Sequence, residues 1–97
     1  MAEGPVARSI METLTAAFPN ADIRLEDQSH LHAGHAGARP EGETHFRVTA
    51  ITNAFDGKGR VDRHRLINAA LKDQLASRVH ALAIVALTPQ EAQDRGL

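Results

Sequence analysis

The sequence predicts an α+β domain built on a three-stranded mixed sheet, in the order helix, strand, strand, helix, strand, helix. Three observations predict it. Val6, Ile10, Leu14 and Phe18 recur every four residues, the spacing of one helix face. Residues 22–27 and 43–52 alternate apolar and polar side chains, the pattern of half-buried strands. A third apolar run, Val79 to Leu87, follows the second strand only after residues 53–78. That interval holds a helix and is long enough for a crossover, so the second and third strands can run parallel.

The first helix spans 5–18. Pro5 suits its first turn, Ala17 lies beside the apolar stripe, and Pro19-Asn20 ends it because the residue before a proline is pushed out of the helical region. In the first strand Ile23 and Leu25 point one way and Asp22, Arg24 and Glu26 the other. Residues 28–42, QSHLHAGHAGARPEG, have no periodicity and are rich in Gly and His; loops of that length in compact domains are uncommon and are often functional. The second strand, 43–52, sets Phe46, Val48 and Ala50 against His45, Arg47 and Thr49, and pairs with the first as a long-looped antiparallel hairpin. A Gly-rich turn, 53–60, leads to a helix at about 62–76 that Asp62 can cap. Leu66, Ile67, Ala70, Leu71 and Leu75 form its apolar face, with Arg63, His64, Lys72 and Asp73 mostly outside it. The run 79–87 is apolar at both parities, as in a central strand covered on both faces or a buried parallel strand at the sheet edge. Thr88-Pro89-Gln90-Glu91 is a capping box with Pro at the first helical position. It starts a short last helix whose low apolar content predicts fraying.

With 97 residues the chain reads as one domain, 1–97, with a small core. The apolar fraction of 42% is just under the globular range, and 24% charged residues do not indicate disorder. Three Phe with no Trp or Tyr argue against an aromatic stacking platform for single-stranded nucleic acid. A net charge of −1 argues against indiscriminate polyanion binding. The N-terminal segment has no cationic start followed by an apolar run, and no stretch approaches the roughly 20 apolar residues of a membrane helix. A cytoplasmic protein with no membrane association is the expectation. The absence of Cys excludes disulfides, a thiol nucleophile and any thiolate metal site built by this chain alone. Coordination chemistry falls to the six histidines, His30, His32, His35, His45, His64 and His80.

Parallel pairing would sort the functional residues to two ends of the sheet. His80, just before the third strand, would lie at the end where the His-rich loop joins the second. His32 and His35 can then approach His80 although they are remote in sequence. His30-x-His32-x-x-His35 in a Gly-rich loop is a metal-ligand arrangement; the alternative is solvated loop histidines. His45 reads as a structural residue near the loop base. At the opposite end Lys58, Arg60, Arg63, His64 and Arg65 are opposed only by Asp62. Cations at a helix N-terminus oppose the helix dipole, so this segment reads either as an anion-binding surface or as a solvated cationic face. Gly57-Lys58-Gly59 lacks the context of a phosphate loop. Asp27, Ser29 and His30 are triad residue types without the required convergence or an oxyanion element. The sequence does not read as an enzyme.

Four separated motifs, Glu43-Thr44-His45-Phe46-Arg47-Val48, Phe55-Asp56-Gly57, Arg63-His64-Arg65-Leu66 and Val79-His80-Ala81-Leu82-Ala83-Ile84, resemble the BolA-like family in order and spacing, from about Pro5 to the capping box. The resemblance implies a class II K-homology-like fold, αββαβα, with helices packed on one face of a three-stranded mixed sheet. It does not imply RNA binding, because the G-x-x-G loop of RNA-binding K-homology domains is absent. It implies a heterodimer with a monothiol glutaredoxin that shares a [2Fe-2S] cluster. The glutaredoxin and glutathione would supply sulfur, and this chain would supply His80 and a loop residue aligned with His32. The loop is longer here, with Ala33 to Gly37 inserted, so His35 is the alternative second ligand, and the cysteine that some members use is missing. The resemblance also implies a role in iron homeostasis and cluster trafficking or sensing. The alternative role attached to the family is a DNA-binding regulator of stress and morphology, here reading a groove with Arg63, His64 and Arg65 while Lys58 and Arg60 contact phosphates.

Overall fold

The computed structural model describes residues 4–27, 45–77, 79 and 81–97. Helix α1 runs Pro5–Ala17, with Pro5 in the first turn and Phe18 as its C-cap. Strands β1 (Asp22–Asp27) and β2 (His45–Ile51) are antiparallel, from Asp22 opposite Ile51 to Asp27 opposite Phe46. A 3-10 turn, Asn53–Phe55, leads to α2 (Arg60–Ala70) and α3 (Lys72–Ser77). Strand β3 (Ala81–Leu87) lies parallel to β2, from His45 opposite Ala81 to Ile51 opposite Leu87, in the sheet order β1-β2-β3. The chain closes with α4 (Pro89–Asp94).

The principal core lies on one face of the sheet. Alternation in β2 buries Phe46, Val48 and Ala50 against Ala7, Ile10 and Leu14 of α1, Ile67 of α2, and Phe55, Leu71 and Val79. The register carries the same face into β1 through Ile23 and Leu25 and into β3 through Leu82, Ile84 and Ala86, all partly buried against that core. On α1, Val6, Ile10, Leu14 and Phe18 face inward as their spacing predicts, but Ala17 is exposed and Ala7 is buried in its stead. Phe55, within the Gly-rich turn, is fully buried and meets Phe18 at a ring separation of 5.6 Å.

Several boundaries differ from those the pattern predicts. The expected helix over 62–76 starts at Arg60 and breaks at Leu71, whose φ of −99° and ψ of 20° leave the helical region. The break lets Leu71 be buried, while Gln74 reaches α1 and donates to Ser9 Oγ at 2.8 Å and Thr13 Oγ1 at 2.9 Å. Asp62 does not cap α2; Gly59 is the N-cap and Asp62 sits in the first turn, where its charge suits the dipole. Leu66, assigned by periodicity to the apolar face, is 39% exposed. Strand β3 is an edge strand; Ala81 and Ala83 are exposed, while Val85 and Leu87 of the same parity are covered, so the run has cover on both faces only toward its C-terminal end.

Helix α4 does not fray. Ala92 packs with Ile51, Leu87 and Val85 in a second, smaller apolar cluster, whose sheet residues alternate with those of the principal core. The capping box is complete, with Glu91 N–H donating to Thr88 Oγ1 at 3.2 Å and Thr88 N–H to Glu91 Oε1 at 2.9 Å. At the other end Gly96 has a φ of 78°. Leu97 N–H donates to the Ala92 carbonyl and Gly96 N–H to that of Gln93, which is the Schellman closure.

Candidate functional site

The parallel pairing of β2 with β3 gives the sheet two chemically different ends. At one end lie Asp27, His45 and Ala81, the described residues that flank 28–44 and follow 80. His80, His32, His35 and His30 themselves lie outside the described residues. Among the described residues, no group of three or more His, Asp or Glu is placed to hold a metal ion.

At the opposite end the chain leaves β2 through the 3-10 turn. Gly57, at a φ of 75°, supplies the left-handed conformation that reverses the chain, and Lys58 N–H donates to the Phe55 carbonyl at 3.1 Å. This turn presents the start of α2 to the end of β3 and to α4. Between them lies an open cleft of about 560 Å³, lined by Lys58, Arg60, His64 and Arg95, by Ile84 to Leu87 of β3, and by Arg63, Glu91 and Asp94.

Arg63 ties the three walls together. Its Nε donates to the Lys58 carbonyl at 2.8 Å and its Nη1 to the Ala86 carbonyl at 3.1 Å. Both terminal nitrogens donate to the Glu91 carboxylate, at 2.5 and 3.2 Å, a fork-on-carboxylate arrangement. The guanidinium also sits 5.9 Å from the centre of the Phe55 ring. Its side chain is only 13% exposed, so the residue that periodicity sets outside the apolar face of α2 is folded against the protein. Arg63 in turn holds the Glu91 carboxyl down at about 2; the Thr88 backbone N–H adds to the effect and partial desolvation opposes it. The hydrogen bond to Glu91 raises Arg63.

The other cations of this segment are distributed differently. Lys58 and Arg60 are exposed at the cleft rim, and His64 lines the cleft half-buried. Arg65 lies outside the cleft, 78% exposed, with its Nη1 3.8 Å from Asp62. Glu91 and Arg95 escape the sequence reading as site residues. The capping box identifies Glu91 as a helix-starting residue, but its second use by Arg63 joins positions 28 apart in sequence, and no local pattern signals that. Among the described residues, the cleft brings together cationic side chains, two carboxylates and backbone groups of β3.

Residues 14–91 match the family model described as BolA-like protein. The chain is 46% identical over 87 residues to a putative BolA-like protein of Caenorhabditis elegans, covering 90% of this chain and 77% of that one. It is 44% identical over 95 residues to the chloroplastic/mitochondrial SufE-like protein 1 of Arabidopsis thaliana, covering 94% of this chain but 26% of the relative, so it spans about a quarter of that protein's length. Among solved structures, the BolA domain of SufE1 from Arabidopsis thaliana superposes with a TM-score of 0.81 at 44% identity, covering 93% of this chain and 99% of that one. The fold, its mixed sheet and its motifs thus agree with one assignment: the chain belongs to the BolA-like family.

Proposed function

We propose that this protein is a non-catalytic adaptor that pairs with a monothiol glutaredoxin and completes a shared [2Fe-2S] cluster, with His80 and either His32 or His35 as its ligands and the partner's cysteine and glutathione supplying sulfur. The observation that carries the reading is the parallel register of β2 and β3, with His45 opposite Ala81. Through it the segments that contain the candidate ligands join the sheet at one end. The donor set fits a shared cluster and not an autonomous one: the chain has six His and no Cys, and iron–sulfur clusters rest on thiolates. When bound, the cluster supplies redox and cluster-transfer chemistry, at a potential raised by imidazole ligation. The chain's own part is to present neutral imidazoles, which are lost as ligands when protonated. The complex is therefore expected to be labile in mild acid, as suits a sensor or a transfer adaptor in iron homeostasis.

The test is visible circular dichroism of cluster-loaded monothiol glutaredoxin titrated with this protein. His80→Ala is expected to abolish the spectral change, and one of His32→Ala or His35→Ala to alter it. An unchanged spectrum and affinity for His80→Ala refutes the ligand assignment.

A second reading places DNA at the other end of the sheet. It is favoured by the exposure of Lys58, Arg60 and Arg65 around the first turns of α2. Binding to duplex DNA is then expected to weaken with salt, with a log–log slope of roughly −3 to −4 for about four phosphate contacts. A flat salt profile refutes it.

A further inference from the structure

We propose that the outer edge of β3 is a strand-addition site for an extended, acidic segment of a partner protein. In a strand, successive residues direct their N–H and C=O groups to opposite sides. The Leu87 carbonyl accepts from Thr52 N–H on the β2 side, so Leu82, Ile84 and Ala86 direct theirs outward. The Ala86 carbonyl accordingly meets Arg63 rather than β2. Among the described residues, the N–H and C=O groups of Leu82 and Ile84 and the N–H of Ala86 have no partner on that side. Arg63 therefore ends the open stretch at Ala86 and sets how far an added strand can extend.

The two edges of the sheet are not alike. Strand β1 carries exposed Asp22, Arg24 and Glu26, with Asp22 and Arg24 paired at 2.9 Å, and charge of this kind discourages edge-to-edge association. Strand β3, Ala81-Leu-Ala-Ile-Val-Ala-Leu87, has no charge and no proline. It lies beside the cleft, whose lining includes Lys58, Arg60 and Arg95 with Asp94, while Glu91 is neutralised by Arg63. Main-chain pairing along Leu82 to Ala86 would supply affinity, and carboxylates reaching the cationic rim would supply selectivity. A second copy of this chain would offer the uncharged β3 to the rim. A polyanion such as nucleic acid would leave the strand's donors and acceptors unused. An acidic extended peptide satisfies both features.

The experiment uses the full chain, isotopically labelled, with a blocked seven-residue peptide of alternating valine and glutamate and a control of alternating valine and lysine. The acidic peptide is expected to slow amide hydrogen exchange at Leu82, Ile84 and Ala86. The double variant Lys58→Glu/Arg60→Glu, at two exposed positions, is expected to keep the amide spectrum of the fold and to weaken binding about tenfold. The proposal is overturned if the acidic peptide does not bind, if it binds without protecting those amides, or if the lysine peptide binds equally well. It is also overturned if the same amides are protected by duplex DNA, or by raised protein concentration alone, which would assign the edge to nucleic acid or to a second copy.

Discussion

The two faces of the sheet are held by different physics. On the face beneath α1 and α2, side chains from the helices, the 3-10 turn and all three strands meet in a continuous apolar core, with Ile10, Leu14, Val48, Phe55 and Ile67 fully buried. On the other face α4 contributes one buried alanine to a cluster with Ile51 and Leu87. The polar clamp of Arg63, Glu91 and Thr88 completes the hold. The first arrangement depends on apolar area withdrawn from water and is insensitive to charge. The second depends on one carboxylate serving two donors. The lesson is that the region carrying the cationic cleft and the open strand edge is also the part of the fold most easily loosened by local change.

Phe55 gives the sharpest test, because it belongs to the principal core and also lies beneath the Arg63 guanidinium. Phe55→Ala is expected to destabilise the whole domain by about 3–5 kcal/mol, read as a lower denaturant midpoint. If the loss is confined to exchange protection of α4, the main core does not depend on Phe55 and the division between the faces fails. Thr88→Ala acts on the smaller face. Loss of the N-cap is expected to cost about 0.5–2 kcal/mol and to appear first as faster amide exchange in α4, with Ile10 and Val48 unaffected. Arg63→Met combined with Thr88→Ala should be less damaging than the two single effects added, since Thr88 Oγ1 fixes the backbone N–H of Glu91 while Arg63 grips the carboxylate of the same residue; strict additivity in a double-mutant cycle would show that the clamp is not one unit.

The smallest effect is a pH effect. The folded carboxyl of Glu91 is held at about 2, below its ordinary 4.5, so it contributes stability above pH 4.5 that is lost as the pH falls toward 2. Wild type is therefore expected to exceed Glu91→Gln in stability near neutrality, and the difference should shrink through that window. A difference that persists unchanged at pH 2 would mean that the pairing with Arg63 contributes nothing to stability.

Much of the architecture is legible from local pattern because local rules suffice for it. The α1 stripe, the alternation of β1 and β2 and the capping box at Thr88 each follow from a periodicity or a short-range hydrogen bond. The parallel pairing of β2 and β3 is permitted by the length of the intervening crossover and realised in the register of the sheet. Less legible are features that depend on where a residue lands. The break at Leu71 arises because Leu71 and Gln74 answer to different neighbours, the core and α1. Leu66 obeys helical periodicity but lies at the margin of the buried face. The cations of 58–65 can be counted in the sequence, yet only the approach of α4 removes Arg63 from the free charge. The candidate ligands His32, His35 and His80 lie outside the described residues, and their assignment rests on the resemblance and on the donor set.

The amino-acid sequence alone determined the class of chemistry open to this chain. With six histidines and no cysteine, metal coordination by this chain rests on imidazole and carboxylate and never on thiolate, and that follows from composition whatever the fold. It also determined the element order, since periodicity is a property of neighbours along the chain. Tertiary structure decided which strand edge stays open, which arginine is committed and which remain at the rim, and that Glu91 both caps a helix and anchors α2. Those outcomes depend on contacts between residues remote in sequence, whose free energies exist only once the sheet has brought them together.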